Sequence, residues 1–110
     1  MRVYISGPIS SDPDYAEKFA AAFERLEKAG YDPVNPVAIG KVLKYKMGRE
    51  PTWEDYMRAC IKGLMDCDAI FMLGGGLKSD GAKLELQLAE ELNMKRITLE
   101  GNDNGNKESL

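Results

Sequence analysis

The sequence predicts an α/β domain built on a small parallel sheet of about four strands with helices on both faces. Three observations predict it: short apolar runs that end in Gly, Pro or Asn, amphipathic stretches of helical period between them, and the regular alternation of the two. Alternation points to a parallel sheet because parallel neighbours need a crossover connection, which a helix supplies.

Val3 to Ile5 is a β-branched and aromatic run closed by Gly7-Pro8, and reads as a buried strand feeding a loop. Asp12-Pro13 supplies an N-cap and a first-turn proline for a helix whose apolar stripe is Tyr15, Phe19, Ala22, Phe23 and Leu26, with Gly30 as its stop. Tyr31 to Val34, closed by Asn35-Pro36, reads as the second strand. From Val37 to Pro51 no clean period emerges, Gly40 and Gly48 break the run, and a long loop with at most a helical turn is expected.

Thr52, with Asp55 three residues on, has the spacing of a capping box, and Trp53, Met57, Cys60, Ile61 and Leu64 form the stripe of the next helix. Ala69 to Leu73 is the most apolar strand and runs into Gly74-Gly75-Gly76. Asp80-Gly81 opens a helix to about Met94, and Arg96 to Leu99 reads as the last strand. Residues 1–100 therefore form one domain and 101–110 a polar tail.

A domain of 110 residues buries about two-thirds of its unfolded surface, a modest core that self-association would help. Apolar residues are 44% and charged residues 30%, the balance of a soluble globular chain. With 15 basic and 18 acidic side chains the net charge is −3, which leaves no one-signed basic face for nucleic acid. No run has the length of a signal peptide or a membrane span, and two cysteines without zinc or redox spacing suit a reduced compartment, so a cytoplasmic protein is expected. The chain has no histidine, which excludes Ser-His-Asp and Cys-His nucleophile pairs and His-ligated zinc. Acid-base chemistry falls to carboxylates, tyrosine, lysine or cysteine, and neither a cofactor nor a metal is expected.

In a parallel α/β sheet, ligands bind at the carboxyl ends of the strands. Here those ends carry Ser6, Gly7 and Pro8, then Asn35, then Gly75 with Ser79, Asp80 and Gly81, all small or polar as a substrate crevice needs. The glycines fit neither dinucleotide nor P-loop spacing. Ser79, Asp80, Gly81 and Ala82 instead offer backbone N–H groups at a helix start, suited to a phosphate or sugar hydroxyl, or else they are an ordinary loop.

On a wheel of 100° per residue, Ala82, Leu84, Leu86, Leu88, Ala89 and Leu92 form an apolar face with Glu85 near its middle, while Lys83, Gln87, Glu90 and Glu91 point away. A carboxylate there is costly unless partnered. Two readings stand: a buried Glu that pairs with a lysine or caps a loop, or a nucleophile or general base facing the crevice. Tyr4 is either core or part of that crevice, and Asp66 and Asp68 read as turn and cap residues. Lys41, Lys44, Lys46 and Arg49 form a solvated face or a lid that meets a phosphate.

Three segments, Val3-Tyr4-Ile5-Ser6-Gly7-Pro8, Asp68 to Leu73, and Ser79-Asp80-Gly81-Ala82-Lys83-Leu84-Glu85 with Ala89, resemble the nucleoside 2-deoxyribosyltransferase superfamily, in particular its short members. The likeness covers most of residues 2 to 100. It implies a flavodoxin/Rossmann-like fold and cleavage of the N-glycosidic bond of a (deoxy)nucleoside or nucleoside monophosphate, as hydrolase or base-exchange transferase. Glu85 falls at the family's nucleophile, Tyr4 at the tyrosine beside it, and Asp80 at one of the acidic residues before the glycine, with Ser79 replacing the other. Cys60 stands where the family carries an active-site aspartate, so a catalytically idle nucleotide-binding module is the alternative. The resemblance also implies a homodimer or homotetramer whose sites are completed across the interface with help from the C-terminal residues. Trp53, Met57 and Ile61 are the expected surface for the partner.

Overall fold

The computed structural model describes residues 1–75 and 78–99. Four parallel strands, β1 (Arg2–Ser6), β2 (Asp32–Val34), β3 (Ala69–Met72) and β4 (Lys95–Arg96), lie in the order β2-β1-β3-β4. The helices are α1 (Tyr15–Lys28), α2 (Pro36–Met47), α3 (Trp53–Met65) and α4 (Asp80–Glu91). This is the predicted flavodoxin/Rossmann-like α/β architecture. No helix among the described residues is long and apolar enough to cross a membrane.

Strand β1 is central, and its registers with β2 and β3 place Tyr4 beside Val34 and Ile70, and Ser6 beside Met72. Its side chains alternate between the two faces. Val3 and Ile5 pack with Phe19, Ala22 and Leu26 of α1 and with Ala69 and Phe71. Tyr4 packs on the other face with Cys60 and Leu64 of α3, Ala82 and Ala89 of α4, and Ile70 and Met72. Helices thus cover both faces.

The elements form for local reasons, some visible in advance and some not. The capping box at the start of α3 is present as predicted: Thr52 Oγ accepts from Asp55 N–H and the Asp55 carboxylate from Thr52 N–H, each at 3.0 Å. Helix α1 starts later than expected, at Tyr15, because the Asp12 carboxylate serves the preceding turn, accepting from Asp14 N–H at 2.9 Å and Lys18 at 2.6 Å. The last strand pairs at Lys95 and Arg96, earlier than expected, and Ile97 N–H adds one more bond to the Ile70 carbonyl. Helix α4 stops at Glu91, short of Met94, where Asn93 turns left-handed with φ 56°. Leu92, expected on the buried face, is consequently exposed.

The largest correction is the segment from Val37 to Pro51, expected to be a loop and found as helix α2. Asn35-Pro36 does not merely close β2. The Asn35 side chain accepts from Val37 N–H at 2.9 Å as N-cap and Pro36 occupies the first turn. Gly40 is not a break either: a β-carbon there would lie 2.7 Å from the Tyr56 ring, so the glycine lets α2 and α3 approach. Gly48 ends the helix in the left-handed region at φ 67°.

Candidate functional site

Glu85 sits in the second turn of α4, on the face turned toward the sheet, and is 5% exposed. Both of its oxygens are engaged. The Tyr4 hydroxyl donates to Oε2 and the Ser6 hydroxyl to Oε1, each at 2.6 Å. Strand alternation is what makes this possible, since Tyr4 and Ser6 are two residues apart and leave β1 on the same side. The lysine partner that one sequence reading allowed is not what holds Glu85; two hydroxyls do. At 2.6 Å these are charge-assisted distances for O–H to carboxylate.

The electrostatics follow from burial. Burial raises the Glu85 carboxyl above its ordinary range, and the hydrogen bonds from Ser6 and Tyr4 partly offset it. Tyr4 is held well above its usual value by burial first and by the neighbouring Glu85 second, so it remains a hydrogen-bond donor. Burial pushes the Cys60 thiol up to about 11 and raises Tyr56 strongly, so neither ionises near neutrality.

Above this group lies a cavity of about 190 Å³. Tyr4 and Glu85 line its floor side, Gly7, Ile9 and Ser10 come from the loop after β1, and Ser79, Gly81 and Ala82 from the start of α4. Pro36 of α2 and Trp53, Tyr56 and Met57 of α3 complete the wall. Gly7 has no room for a side chain, since a β-carbon there would fall 2.8 Å from that of Leu73, and this lets the loop turn tightly over the strand ends.

The structure brings together Tyr4, Ser6, Gly7, Ser79, Gly81 and Glu85 of the sequence-predicted set. Ser6 is fully buried and touches the cavity only through Glu85. Ser79 caps α4, and its hydroxyl accepts the Ala82 N–H at 3.3 Å, so that N–H is already used. Pro8, Asn35, Asp80 and Gly75 do not line the cavity. The Asn35 oxygen is committed to capping α2, Asp80 is exposed in the first turn of α4, and Gly75 is exposed with φ 82°. Gly76 of the glycine run and the tail 101–110 lie outside the described residues.

Cys60 is fully buried in the cluster with Tyr4 and Leu64 and does not line the cavity. Its thiol is next to the hydroxyls of Tyr4 and Tyr56. The basic residues read as a lid are dispersed: Lys44 pairs with Glu50 at 2.9 Å and Arg49 with Asp55 at 3.1 Å. Asp68 behaves as a turn residue, its carboxylate accepting the Arg2 N–H at 2.9 Å.

Sequence reasoning did not assign Trp53, Tyr56 and Met57 to the cavity. The signal was available, because they stand at i, i+3 and i+4 of α3, with Cys60 at i+7, and so share one helical face. Met57 is 5% exposed and so belongs to the chain's own interior, while Trp53 remains 53% exposed at the cavity mouth. Among the described residues no three His, Cys, Asp or Glu side chains group closely enough to hold a metal ion.

A protein-family model, described as a domain of unknown function (DUF4406), matches residues 1–98, and the chain belongs to that family. No curated protein matches it.

Proposed function

We propose that this DUF4406 chain cleaves the N-glycosidic bond of a (deoxy)nucleoside or nucleoside monophosphate through a covalent glycosyl-Glu85 intermediate, as a hydrolase or a base-exchange transferase. The observation that supports the reading most is the Glu85 carboxylate, buried beside a substrate-sized hollow with one hydroxyl donor on each oxygen. The likeness of the Ser79 to Glu85 segment to nucleoside 2-deoxyribosyltransferases supports it independently.

In the first step a Glu85 oxygen attacks the anomeric carbon. The C–O ester bond forms as the C–N bond breaks, and the bond's electron pair leaves on the base nitrogen, which takes up a proton. In the second step water or another base attacks the same carbon, the ester electrons return to the carboxylate, and the nucleophile loses a proton. Inversion occurs twice, so configuration is retained. Tyr4 and Ser6 hold the carboxylate in one orientation and, by stabilising its charge, make it a competent leaving group in the second step. Fixed placement of this kind serves a histidine-free site, since neither step needs an imidazole.

One observation favours a second reading, an idle nucleotide-binding module. Glu85 is the one carboxyl lining the cavity among the described residues, and Cys60, which by the resemblance falls where nucleoside 2-deoxyribosyltransferases carry an active-site aspartate, is a buried thiol. Protonation of the departing base would then fall to solvent or to the Tyr56 hydroxyl, which currently donates to the Pro36 carbonyl at 3.3 Å.

Release of free base from a panel of ribo- and deoxyribonucleosides and their monophosphates separates the two readings. Accumulation of a glycosyl adduct on the Glu85 peptide with a slow 2-fluoro substrate establishes the intermediate, and binding without turnover across the panel leaves only the module. The proposal includes assembly as a homodimer or homotetramer, supported by the exposed Trp53, Val42 and Tyr45 side chains. Sedimentation of a fully active monomer at micromolar concentration would remove that part.

A further inference from the structure

A second hollow of about 380 Å³ adjoins the first and shares Ile9, Trp53 and Tyr56 with it. The two therefore lie side by side, with Ile9, Trp53 and Tyr56 between them as an inner and an outer chamber. Their chemistry differs. The inner chamber holds one ionisable acid, Glu85, and no basic side chain, whereas the outer one is lined by Lys41 and Lys44 of α2 together with Glu50.

Glu50 is spent on Lys44, at 2.9 Å, and among the described residues Lys41 has no carboxylate partner. One positive charge is left over in the outer chamber of a chain whose net charge is −3. The rim adds a neutral donor. Thr52 Oγ accepts from Asp55 N–H, which leaves its own O–H free to point elsewhere. Lysine ammonium and hydroxyl donors around an aromatic-walled opening make a phosphate monoester the matching ligand chemistry.

We infer that the outer chamber is an anion subsite in which Lys41, supported by Lys44 and Thr52, takes the phosphate of a 5′-phosphorylated sugar whose anomeric carbon lies at Glu85. This rests on the glycosidic reading for the position of the sugar and narrows its substrates to nucleoside monophosphates.

The test needs no turnover, because Trp53 is the single tryptophan of the chain and lines both chambers. Its fluorescence is titrated in the full chain with ribose, ribose 5-phosphate and inorganic phosphate. The expected result is at least about tenfold tighter binding of ribose 5-phosphate than of ribose, as charge-assisted contacts give. In a Lys41→Ala/Lys44→Ala variant the preference should fall below about twofold, with circular dichroism unchanged. An unaltered preference in that variant, or equal binding of the two sugars in the parent, overturns the inference. So does inorganic phosphate binding as tightly as ribose 5-phosphate, which would make the chamber an anion site unrelated to the sugar. Outcomes for the two proposals are separable: a lysine-dependent phosphate preference in a protein that releases no base sinks the glycosidic reading alone. Base release with no phosphate preference sinks only the subsite.

Discussion

Strand β1 sends Val3 and Ile5 toward α1 and Tyr4 and Ser6 toward α3 and α4, and the two faces it serves are built differently. On the α1 side the sheet packs against Phe19, Leu26 and Phe71, and neither of the buried polar side chains among the described residues, Ser6 and Glu85, lies there. On the other side the same strand carries two hydroxyls into a layer that also holds Cys60, Leu64, Ile70 and the Glu85 carboxyl. Apolar burial is favourable wherever it occurs, but a buried carboxyl is tolerated only when each oxygen has a donor. On the proposed function, one face can therefore be altered with consequences for stability alone, and the other with consequences for chemistry.

Replacing the charge tests the second face most severely. Glu85→Gln keeps the shape and removes the proposed nucleophile, so base release should fall by about four orders of magnitude, equivalent to ~5.5 kcal/mol in the barrier. A fall of less than about tenfold would mean that another group attacks. Stability should move the opposite way. The Glu85 pKa is raised in the folded state, so its protonation favours folding below the ordinary carboxylate range, and that contribution is lost as pH rises through the raised value. Chemical denaturation from acid to neutral pH should show this decline in the parent and a flatter profile in Glu85→Gln, with the variant no less stable at neutral pH.

On the α1 face the pattern should reverse. Phe19 is fully buried, and Phe19→Ala should cost ~3–5 kcal/mol through lost burial and a cavity. Below its melting transition the variant should release base at the parental rate per folded molecule. A site defect at that temperature would show that the faces are coupled through β1.

Cys60 lies between these cases, next to the Tyr4 hydroxyl but shut off from the cavity. Cys60→Asp should place a carboxylate in a fully buried position and lower stability by ~3 kcal/mol, visible as a large drop in Tm. Unchanged Tm with faster base release would instead show that the helix opens Cys60 to substrate and that aspartate restores the missing acid.

How far all this could be read in advance depended on the kind of signal. Strand and helix periods located β1, α1, α3, β3 and α4 because their apolar spacing is regular, and Glu85 stood out because it interrupts such a spacing. Helix α2 was missed because its glycine and proline carry tertiary meaning: Gly40 makes room for Tyr56, and Pro36 starts a helix that Asn35 caps. The pairing of Ser6 with Glu85 joins residues 79 positions apart, and only the register of β1 against β3 and the seating of α4 bring them together. Trp53 shows a role that its apolar stripe did not signal: besides being exposed, as a partner surface requires, it lines two neighbouring hollows.

The smallest expected effect concerns one hydrogen bond within the polar face. Tyr4→Phe removes the donor to Glu85 Oε2 and leaves Ser6 as the remaining partner, with the ring still packed against Cys60 and Ile70. The Tyr4 bond lowers the Glu85 pKa, so its loss should raise that pKa further. Since the proposed attack requires the ionised carboxylate, the acid limb of the pH-rate profile should move to higher pH, and base release near neutrality should fall by about tenfold. The same change predicts a pH-dependent stability cost. At low pH the variant loses only a bond to a neutral acid, while at higher pH it leaves a buried carboxylate with a single donor, so the deficit against the parent should widen as pH rises. A parallel Ser6→Ala profile provides the comparison, since its hydroxyl is as close, at 2.6 Å. If the acid limb stays in place in Tyr4→Phe, Tyr4 is a packing residue of the second face and the carboxylate is tuned by Ser6 and burial alone.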